Sequence, residues 1–498
     1  MTRLLWAVVL VSIVGFWHCS QPVETPSESS KEAGSEVTSQ REVVQTEPLK
    51  EPSTQDDTDA SGPPEATVEV VAETAPEEDS SCGAGRTLCA KDCVNLKANS
   101  AHCGSCGTVC GKGSYCVDGS CSTPTTMTNA IDDAMTSEMT KQNLVGLSVG
   151  IVKDGKVVYL KGYGNEDKEN KVPVVAEQTM FRWASISKTF AGVVAVGLED
   201  EKKIDLDVAI QTYYKDYKKP TEVLTSCTKD VEVDGKTYKC ENKKVLLPLK
   251  PSEQVVTTRN LLGHLGGVPH YTNGVGNPTP PSKDTNDPAV NTGMEWAVKK
   301  YLMLKPLVKL PGSAYSYTTF GFNLLGVVLE KAGGKSFDAM VQERVAKPAG
   351  MTTLQPDYEW KKIPHRAVGY MKLGDNIVDQ GSSDVSWKLA GGGYISTVRD
   401  IALYCAALTS TSILSEDQKL RAWIRQKTTS GSSINYGLGF SIGRRNNRGY
   451  IGHSGSQQKT LTQLRLYPAD NLCVVLMTNS TYAKTGTLRN LLEDNARK

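Results

Sequence analysis

The stretch Phe181–Lys203 reads FRWASISKTFAGVVAVGLEDEKK and joins a Ser-x-x-Lys motif to an apolar segment. The apolar residues after Ser185 recur at helical spacing: Phe190, Val193, Val194 and Leu198. This pattern predicts a helix that begins at or near Ser185, which places Lys188 one turn further on, within reach of the serine hydroxyl. The helix dipole and burial would lower the pKa of the Lys188 ammonium. The motif therefore predicts a nucleophile with its base beside it.

The tetrapeptide alone is a weak signal, because the same pattern also begins at Ser226 and at Ser456. Ser226 adjoins a cysteine in a polar insertion, and Ser456 is expected just before a strand, so neither opens an amphipathic helix. A second interpretation of Ser185 is a helix N-cap without chemistry. The context of the motif has to decide between the two.

Two later segments supply that context: PGSAYSYTTFGFNLLGVVLEKAGGKSF and GHSGSQQKTLTQLRLYPADNLCVVLMTNS. Tyr317 and Thr319 come just before an apolar helix, and His453-Ser454-Gly455 lies at the edge of a predicted terminal hairpin. In this order and at these separations, the three segments resemble the three active-site elements of the penicillin-recognising serine hydrolases, which are Ser-x-x-Lys, Tyr-x-Asn and Lys-Thr-Gly. The resemblance covers roughly residues 127–495.

Histidine in the third element is typical of the class C beta-lactamase-like branch, which includes esterases, D-peptidases and carboxypeptidases. The connecting segments GKVVYLKGYG, VTTRNLLGHLGGVP and AGGGYISTVRDIA agree with that branch. Thr319 replaces the usual asparagine, as it does in mitochondrial serine beta-lactamase-like proteins and their bacterial relatives. The missing amide removes a donor and an acceptor for a lactam side chain, so the resemblance suggests a peptidase or esterase more than an antibiotic-degrading enzyme.

The resemblance also implies roles for individual residues. Ser185 would be the acylated nucleophile, Lys188 its general base, and Tyr317 the group that carries the proton to the leaving group and later activates water. The backbone N–H groups of Ser185 and Ser456 would form the oxyanion hole. Three residues would bind substrate: Thr319, His453 and Gly455. Tyr317 also has a structural interpretation as a core aromatic, Thr319 as a structural residue and His453 as a satisfied strand histidine.

The His453 position departs most from the penicillin-binding pattern, in which a permanent lysine cation holds a substrate carboxylate. With an ordinary pKa of ~6.5 and with Lys188 nearby, the imidazole is expected to be neutral at pH 7 and to gain charge in part towards pH 6. Carboxylate-bearing substrates would then be disfavoured at neutral pH, unless another cation supplies the charge. The candidates are Arg444, Arg445 and Arg448.

The pattern of apolar and polar residues in the remaining domain predicts an α+β fold, which the resemblance identifies as the beta-lactamase and transpeptidase type. GLSVGIVKDGKVVYLKGYG alternates around Lys153-Asp154-Gly155 as a hairpin does, and LTQLRLY and LCVVLMTNS flank a second turn at Pro468–Asn471. A helix precedes the first hairpin, and Leu488–Arg497 is expected to close the chain as another. The pattern predicts one antiparallel sheet built from both termini and flanked by helices, with an all-helical subdomain inserted between.

The N-terminal part has a different composition. Arg3, the apolar run Leu4–Trp17 and then Cys19 form the layout of a secretory signal peptide, and the cysteine followed by a polar spacer resembles a bacterial lipoprotein signal. Residues 20–81 hold 16 acidic and three basic residues and no aromatic residue, which predicts a disordered spacer. We expect export to the bacterial cell envelope, as a periplasmic or outer-membrane lipoprotein, or secretion. Contact with a membrane is expected only through a lipid anchor at Cys19.

Eight of the chain's 13 cysteines fall within residues 82–121, among Gly, Asn and Ser. About 40 residues with so few large apolar side chains cannot form a core, so disulfides are expected to hold this module together. Its CVNL, HCGSCGTVC and CVDGSC segments resemble stigma-specific-protein-like repeats. The remaining expectations are a Cys227–Cys240 pair and, for Cys405 and Cys473, the behaviour of small core residues. The predicted domains are 1–19 signal peptide, 20–81 spacer, 82–121 Cys-rich module and 127–498 serine hydrolase.

Composition and motifs also argue against several functions. The formal net charge is only +1, so the sequence has no overall excess of positive charge for binding nucleic acid. The six histidines show no metal-binding spacing, and His264 and His270 are expected to support the fold, so no metal and no cofactor are predicted. The expected partner is a small-molecule or peptide substrate. Two rival interpretations remain open: a nucleophile elbow at Gly452–Ser456, and an envelope-anchored protein of penicillin-binding type without turnover.

Overall fold

The computed structural model describes residues 87–89, 92–94, 96, 102–110, 115–117, 119–122, 126–271, 275 and 293–498. The predicted signal peptide and the acidic spacer lie outside the described residues. All described residues fall within a unit that spans Ala75–Lys498. Among them, no helix is both long and apolar enough to cross a membrane.

The strands of the larger domain, which begins at α1, are numbered after four short strands of the Cys-rich module. The module contains β1 (Thr87–Cys89), β2 (Asp92–Val94), β3 (Tyr115–Val117) and β4 (Ser120–Ser122). The main sheet contains β5 (Gly146–Lys153), β6 (Lys156–Asp167), β7 (Val172–Pro173), β17 (Ser441–Arg445), β18 (Arg448–Gln457), β19 (Thr460–Tyr467) and β20 (Leu472–Thr478). The smaller sheets contain β8 (Phe181–Arg182), β9 (Glu222–Ser226), β10 (Val231–Val233), β11 (Lys236–Tyr238), β12 (Lys244–Pro248), β13 (Gln355–Pro356), β14 (Tyr370–Leu373), β15 (Asn376–Asp379) and β16 (Tyr394–Ser396).

Ten α-helices accompany these strands in the described residues. They are α1 (Thr126–Gln142), α2 (Lys188–Asp200), α3 (Thr258–Leu262), α4 (Met294–Ala297), α5 (Thr319–Gly333), α6 (Phe337–Val341), α7 (Leu389–Gly392), α8 (Val398–Thr409), α9 (Glu416–Trp423) and α10 (Thr485–Ala496). Short helical turns also occur, including Ala184–Ser187 directly before α2 and Ser386–Lys388 directly before α7.

The main sheet joins the two ends of the domain, as the sequence predicts. Its strand order is β17-β18-β19-β20-β5-β6-β7, and all neighbours are antiparallel. The first hairpin turns at Asp154 and Gly155, which both have positive φ, as the Asp-Gly pair of a tight hairpin requires. The predicted α+β fold is therefore confirmed.

The two faces of the main sheet are covered by different helices. One core cluster packs α1 and α10 against alternate residues of β5 and β20, with Ile131, Leu147 and Leu488 fully buried. The larger cluster lies on the other side and includes α2, α5 and α8. The helical part of the chain also carries the small sheets β9–β12, β10–β11, β14–β15 and β13-β16-β8, so it is not purely helical.

Three disulfides are present in the Cys-rich module: Cys89–Cys106, Cys103–Cys116 and Cys110–Cys121. The side chains of the module's other two cysteines are outside the described set. The bridges support the expectation that this module is held by disulfides. Two groups in the module bring three metal-binding side chains together, but every cysteine in them forms a disulfide, so the described geometry gives no free thiolate set.

The cysteines of the larger domain also pair. Cys227–Cys240 closes the insertion that carries β10 and β11, which confirms the predicted pair. Cys405 and Cys473 are fully buried, as expected of core residues, but they also form a disulfide, which was not predicted. Cys405 lies on α8 and Cys473 on β20, and these elements pack together with the two Cα atoms 6.2 Å apart. Since the two residues are 68 positions apart, no local pattern pairs them.

Candidate active site

Ser185 lies in the short turn Ala184–Ser187 at the entrance to α2 and is half-buried. The residue before it, Ala184, has a φ of +50°, a left-handed conformation that costs free energy for any residue with a Cβ. The neighbouring Trp183 is fully buried and donates from its indole Nε1 to Ser396 Oγ over 2.5 Å. A strained turn between two buried residues presents Ser185 at the surface of the site.

Lys188 is the first residue of α2 and is completely buried. Its Nζ lies 3.1 Å from Ser185 Oγ, 3.4 Å from Thr319 Oγ1 and 2.6 Å from the carbonyl oxygen of Gly391. Among the described residues, no carboxylate forms a salt bridge with Lys188. All three contacts are neutral oxygens, so nothing in them holds a positive charge on this amine.

The surroundings of Lys188 favour its neutral form. Burial lowers the pKa of the Lys188 ammonium well below its ordinary range, and the positive charge of Lys388 lowers it further. A neutral amine 3.1 Å from a serine hydroxyl has a lone pair available for the hydroxyl proton. The sequence expectation of a base beside the nucleophile agrees with this geometry.

Tyr317 completes a three-residue cluster around the serine oxygen. Its hydroxyl donates to Ser185 Oγ over 2.8 Å, and Lys188 Nζ lies 5.0 Å from the centre of its ring. Burial raises the pKa of the Tyr317 phenol above its ordinary value, so the resting state is the neutral phenol. The hydroxyl can therefore donate a proton near Ser185 Oγ.

Two histidines fix the backbone of the segment that carries Tyr317. His264 Nδ1 accepts a hydrogen bond from the Thr318 N–H, and His270 Nδ1 accepts one from the Thr319 N–H, each over 3.2 Å. These N–H groups belong to the N-terminal end of α5, where a helix leaves its donors without internal partners. Burial lowers the pKa of both imidazoles, that of His270 to about 4, so both accept as neutral rings. The supporting role expected for these histidines agrees with the geometry.

The third predicted element lies on β18, next to the turn that carries Ser185. Gly455 passes so close that a Cβ there would lie 2.6 Å from the Trp183 carbonyl oxygen and 2.9 Å from Ala184 Cβ. Only glycine allows this approach without displacing a neighbour. The Thr462 hydroxyl on β19 also donates to the Trp183 carbonyl over 3.0 Å. Gly455 therefore brings β18 against the Ser185 turn.

Ser456 lies within β18 and not before a strand, and the register gives its N–H a direction. A two-residue turn joins β18 to β19, so Gln457 and Thr460 form the hydrogen-bonded pair and Ser456–Leu461 does not. The Ser456 N–H then points away from β19. Pairing of β18 with β17 stops at Gly452, which leaves that edge open beside Ser185. This geometry agrees with an oxyanion site made by the N–H groups of Ser185 and Ser456.

His453 is held by the protein through both ring nitrogens. Nδ1 lies 2.6 Å from the Ser454 carbonyl oxygen, to which it donates, and Nε2 accepts from the Tyr436 hydroxyl over 2.8 Å. Burial, followed by the charge of Lys188, lowers the pKa of His453 to about 3. The ring is thus neutral at pH 7, as expected. The expected gain of charge towards pH 6 is wrong, because burial moves the titration several units lower.

The three arginines considered as replacement cations have other partners. Arg445 forms a two-pronged pair with Asp494, Arg448 pairs with Asp470, and Arg444 donates to the Asn447 carbonyl oxygen. Two of the three are therefore paired with carboxylates, and the third contacts a backbone carbonyl oxygen.

Three residues around the site were not predicted from the sequence. Gly391 supplies the carbonyl oxygen that contacts Lys188, and Tyr436 donates to His453. Lys388 lies at the end of the turn before α7 and lowers the pKa of both Lys188 and His270. The AGGG segment was the one available signal for Gly391, whereas Tyr436 and Lys388 belong to no recognised motif.

The rival nucleophile elbow does not occur. Ser454, its central serine, is exposed in the middle of the antiparallel strand β18. An elbow needs a sharp turn from a strand into a helix, and β18 continues through this position.

Comparisons with known proteins agree with this geometry. The sequence model of the Beta-lactamase family matches residues 131–498, and that of the Stigma-specific STIG1-like protein family matches residues 68–124. The mitochondrial serine beta-lactamase-like protein LACTB of Mus musculus is 28% identical over 324 residues, which cover 53% of this chain and 54% of that protein. The putative penicillin-binding protein PbpX of Bacillus subtilis (strain 168) is 23% identical over 59% of this chain and 61% of its own length.

Solved structures share the fold. The D-amino acid amidase from Ochrobactrum anthropi SV3, complexed with L-phenylalanine, superposes with a TM-score of 0.58 at 21% identity, covering 75% of this chain and 100% of that one. The octameric penicillin-binding protein homologue from Pyrococcus abyssi gives a TM-score of 0.57 at 23% identity, over 74% of this chain and 77% of that one. The chain spans about half the length of the curated mammalian relatives that it matches.

Proposed function

Because the chain belongs to the Beta-lactamase family, we propose that it is a serine hydrolase that cleaves amide or ester bonds through an acyl-enzyme on Ser185. One observation carries the proposal: Ser185 Oγ lies 3.1 Å from the buried Lys188 amine and 2.8 Å from the Tyr317 hydroxyl. This set provides a nucleophile, a neutral base and a proton donor around one oxygen atom.

In the first half-reaction, the neutral Lys188 amine accepts the proton of the Ser185 hydroxyl while Oγ attacks the substrate carbonyl carbon. The N–H groups of Ser185 and Ser456 stabilise the resulting oxyanion. Removal of one such donor typically costs ~2.7–4 kcal/mol of transition-state stabilisation. Tyr317 then donates a proton to the leaving group, which departs as an alcohol or amine.

In the second half-reaction, water attacks the acyl carbon of the ester on Ser185. The Tyr317 phenolate, with Lys188 at its ring, takes the water proton. The Ser185 oxygen leaves and is reprotonated by the Lys188 ammonium, which returns the proton it accepted in the first half-reaction. The acid product is released and the free enzyme returns. The polar contacts of the site favour substrates of the ester, amide or peptide type. Hydrolysis of beta-lactams is less favoured, since Thr319 replaces the asparagine whose amide would bind a lactam side chain.

We also propose that the protein works in an oxidising compartment outside the cytoplasm, in the cell envelope or secreted. The disulfides in both the Cys-rich module and the hydrolase domain support this location. The lipid anchor at Cys19 is part of the same proposal.

The test is covalent labelling with a serine-reactive fluorophosphonate, with the modified residue located by peptide mass spectrometry. We expect modification of Ser185 in the full chain and none in Ser185→Ala. Ser454→Ala is the matched control, because this exposed serine lies on the adjacent strand and is the nucleophile of the rival interpretation. Hydrolysis of 4-nitrophenyl esters should follow the labelling. Near-normal hydrolysis by Ser185→Ala would contradict the proposal, and a folded protein without labelling or turnover would favour the non-catalytic alternative.

A further inference from the structure

The third element provides no positive charge, yet a lysine without a carboxylate partner lies on another side of the same site. Lys388 is half-buried, and its Nζ lies 5.3 Å from the centre of the Trp387 ring and 5.8 Å from the centre of the Tyr271 ring. Among the described residues, no carboxylate lies within salt-bridge distance of this ammonium. Two aromatic faces attract the cation but do not neutralise it.

The position of Lys388 relates it to the residues that surround Ser185. Its turn leads directly into α7, whose Gly391 carbonyl accepts from Lys188. The charge of Lys388 lowers the pKa of both Lys188 and His270. The end of this turn is therefore close enough to the catalytic cluster to act on it electrostatically.

The aromatic neighbour of Lys388 makes a second connection to the site. Tyr271, whose ring lies beside the Lys388 ammonium, packs against the ring of His270 with the two centroids 4.1 Å apart, and His270 accepts from the Thr319 N–H. Thr319 in turn lies 3.4 Å from the Lys188 amine. Lys388 is thus connected to the residues around Ser185 through Tyr271 and His270 on one side and through α7 on the other.

The charged groups near Lys388 do not neutralise its ammonium, so this position can bind an anion. Burial and the positive charge of Arg182 lower the pKa of Lys388 to about 7, and Asp384 opposes this only in part. A bound carboxylate would favour the protonated amine and replace the solvation that the amine has lost. Charge-assisted hydrogen bonds of this kind are among the stronger polar contacts in proteins.

We propose that Lys388 is the specificity-determining cation of this enzyme and binds a carboxylate carried by the substrate. The inference rests on the proposed hydrolase function and adds a substrate class to it, namely esters or amides with a free carboxylate. Lys388 takes no part in bond making, and its contribution is to orient the substrate against Ser185.

The test compares kcat/KM for two matched pairs of esters. The first pair is 4-nitrophenyl hydrogen glutarate and its methyl ester, which differ in a carboxylate on the acyl portion. The second is 3-acetoxybenzoate and its methyl ester, which differ in a carboxylate on the leaving group. For the full chain, we expect the charged member of one pair to be preferred, and Lys388→Gln to lower that preference by at least about tenfold. The responding pair identifies the end of the substrate that Lys388 binds.

Lys300→Gln is the matched control, because the Lys300 ammonium also lies over two aromatic rings, those of Trp296 and Tyr301, but on an exposed surface. It should keep the preference, as should Lys388→Arg. Lys388→Met retains the apolar stem and serves if the glutamine variant does not fold. An unchanged ratio in the folded Lys388→Gln or Lys388→Met variant would overturn the inference while leaving the hydrolase function intact. Failure of the full chain to hydrolyse any ester through Ser185 would instead contradict the proposed function.

Discussion

Lys188 Nζ and the carbonyl oxygen of Gly391 lie 2.6 Å apart, although the two residues are 203 positions apart in the chain. The contact joins the first turn of α2 to α7. It holds the amine of a fully buried lysine beside Ser185 and Thr319 without supplying a negative charge. The buried amine is therefore positioned by neutral oxygens, at a cost in stability that function would explain.

Lys188→Met should abolish turnover and stabilise the fold. The folded pKa of Lys188 lies well below its ordinary value, so the unfolded chain binds an extra proton throughout the interval between them. Wild-type stability therefore rises with pH across that interval. The methionine variant has no amine to deprotonate on folding, so its free energy of unfolding should be ~0.5–2 kcal/mol higher than that of the wild type at neutral pH. This difference should shrink as the pH approaches 10. Urea unfolding between pH 6 and 10 measures it, and a variant less stable than the wild type throughout would contradict the prediction.

Gly391→Ala should impair both packing and catalysis. A Cβ at this position would lie 2.6 Å from Thr319 Cγ2, so either α7 or Thr319 has to move, and with it the carbonyl that contacts Lys188. We expect a loss of ~1–3 kcal/mol in stability and a marked fall in kcat. Gly449→Ala is the control, since a Cβ added there would meet no atom within 4 Å. Equal behaviour of the two variants in ester hydrolysis and urea unfolding would show that Gly391 does not position the site.

Local patterns in the sequence predict the hairpins of the main sheet and the Ser185–Lys188 pair, whereas the place of Tyr317 beside Ser185 was expected from the family resemblance. Alternation around Asp154-Gly155 gives the first hairpin, and helical spacing after Ser185 places Lys188 on the correct face. The contacts that have neither a local pattern nor a recognised motif were missed. Cys405 pairs with Cys473 across 68 residues, and Lys388 approaches the site only because the chain folds back through α7. The residues next to Lys388 in the sequence form no motif that would predict this placement.

Buried histidines should make the domain unstable in acid. The pKa of His270 is lowered to about 4 and that of His453 to about 3, against ~6.5 in an unfolded chain. The unfolded state therefore gains protons first, and stability present above pH 6.5 is lost as the pH falls towards these values. His453→Gln removes one such group and should show a shallower loss between pH 6.5 and 4. Parallel stability curves for the variant and the wild type, measured by urea unfolding, would argue that His453 titrates normally.

The pH dependence of substrate preference distinguishes whether Lys388 or His453 binds the substrate carboxylate. Lys388 has a pKa of about 7, so its positive charge declines between pH 6 and 8, whereas His453 stays neutral over that range. The groups that face Lys388 are Arg182, Asp384, Lys188, His270 and Tyr271, and of these His270 is already neutral above pH 6.

The preference for the carboxylate member of the responding ester pair should therefore be greater at pH 6 than at pH 8. Using a ratio of kcat/KM values removes the pH dependence of Lys188, which both esters share. The change with pH should disappear in Lys388→Gln and persist in His453→Gln. The reverse pattern, in which the histidine variant alone loses the pH dependence, would assign the charge-reading role to His453 and reject Lys388.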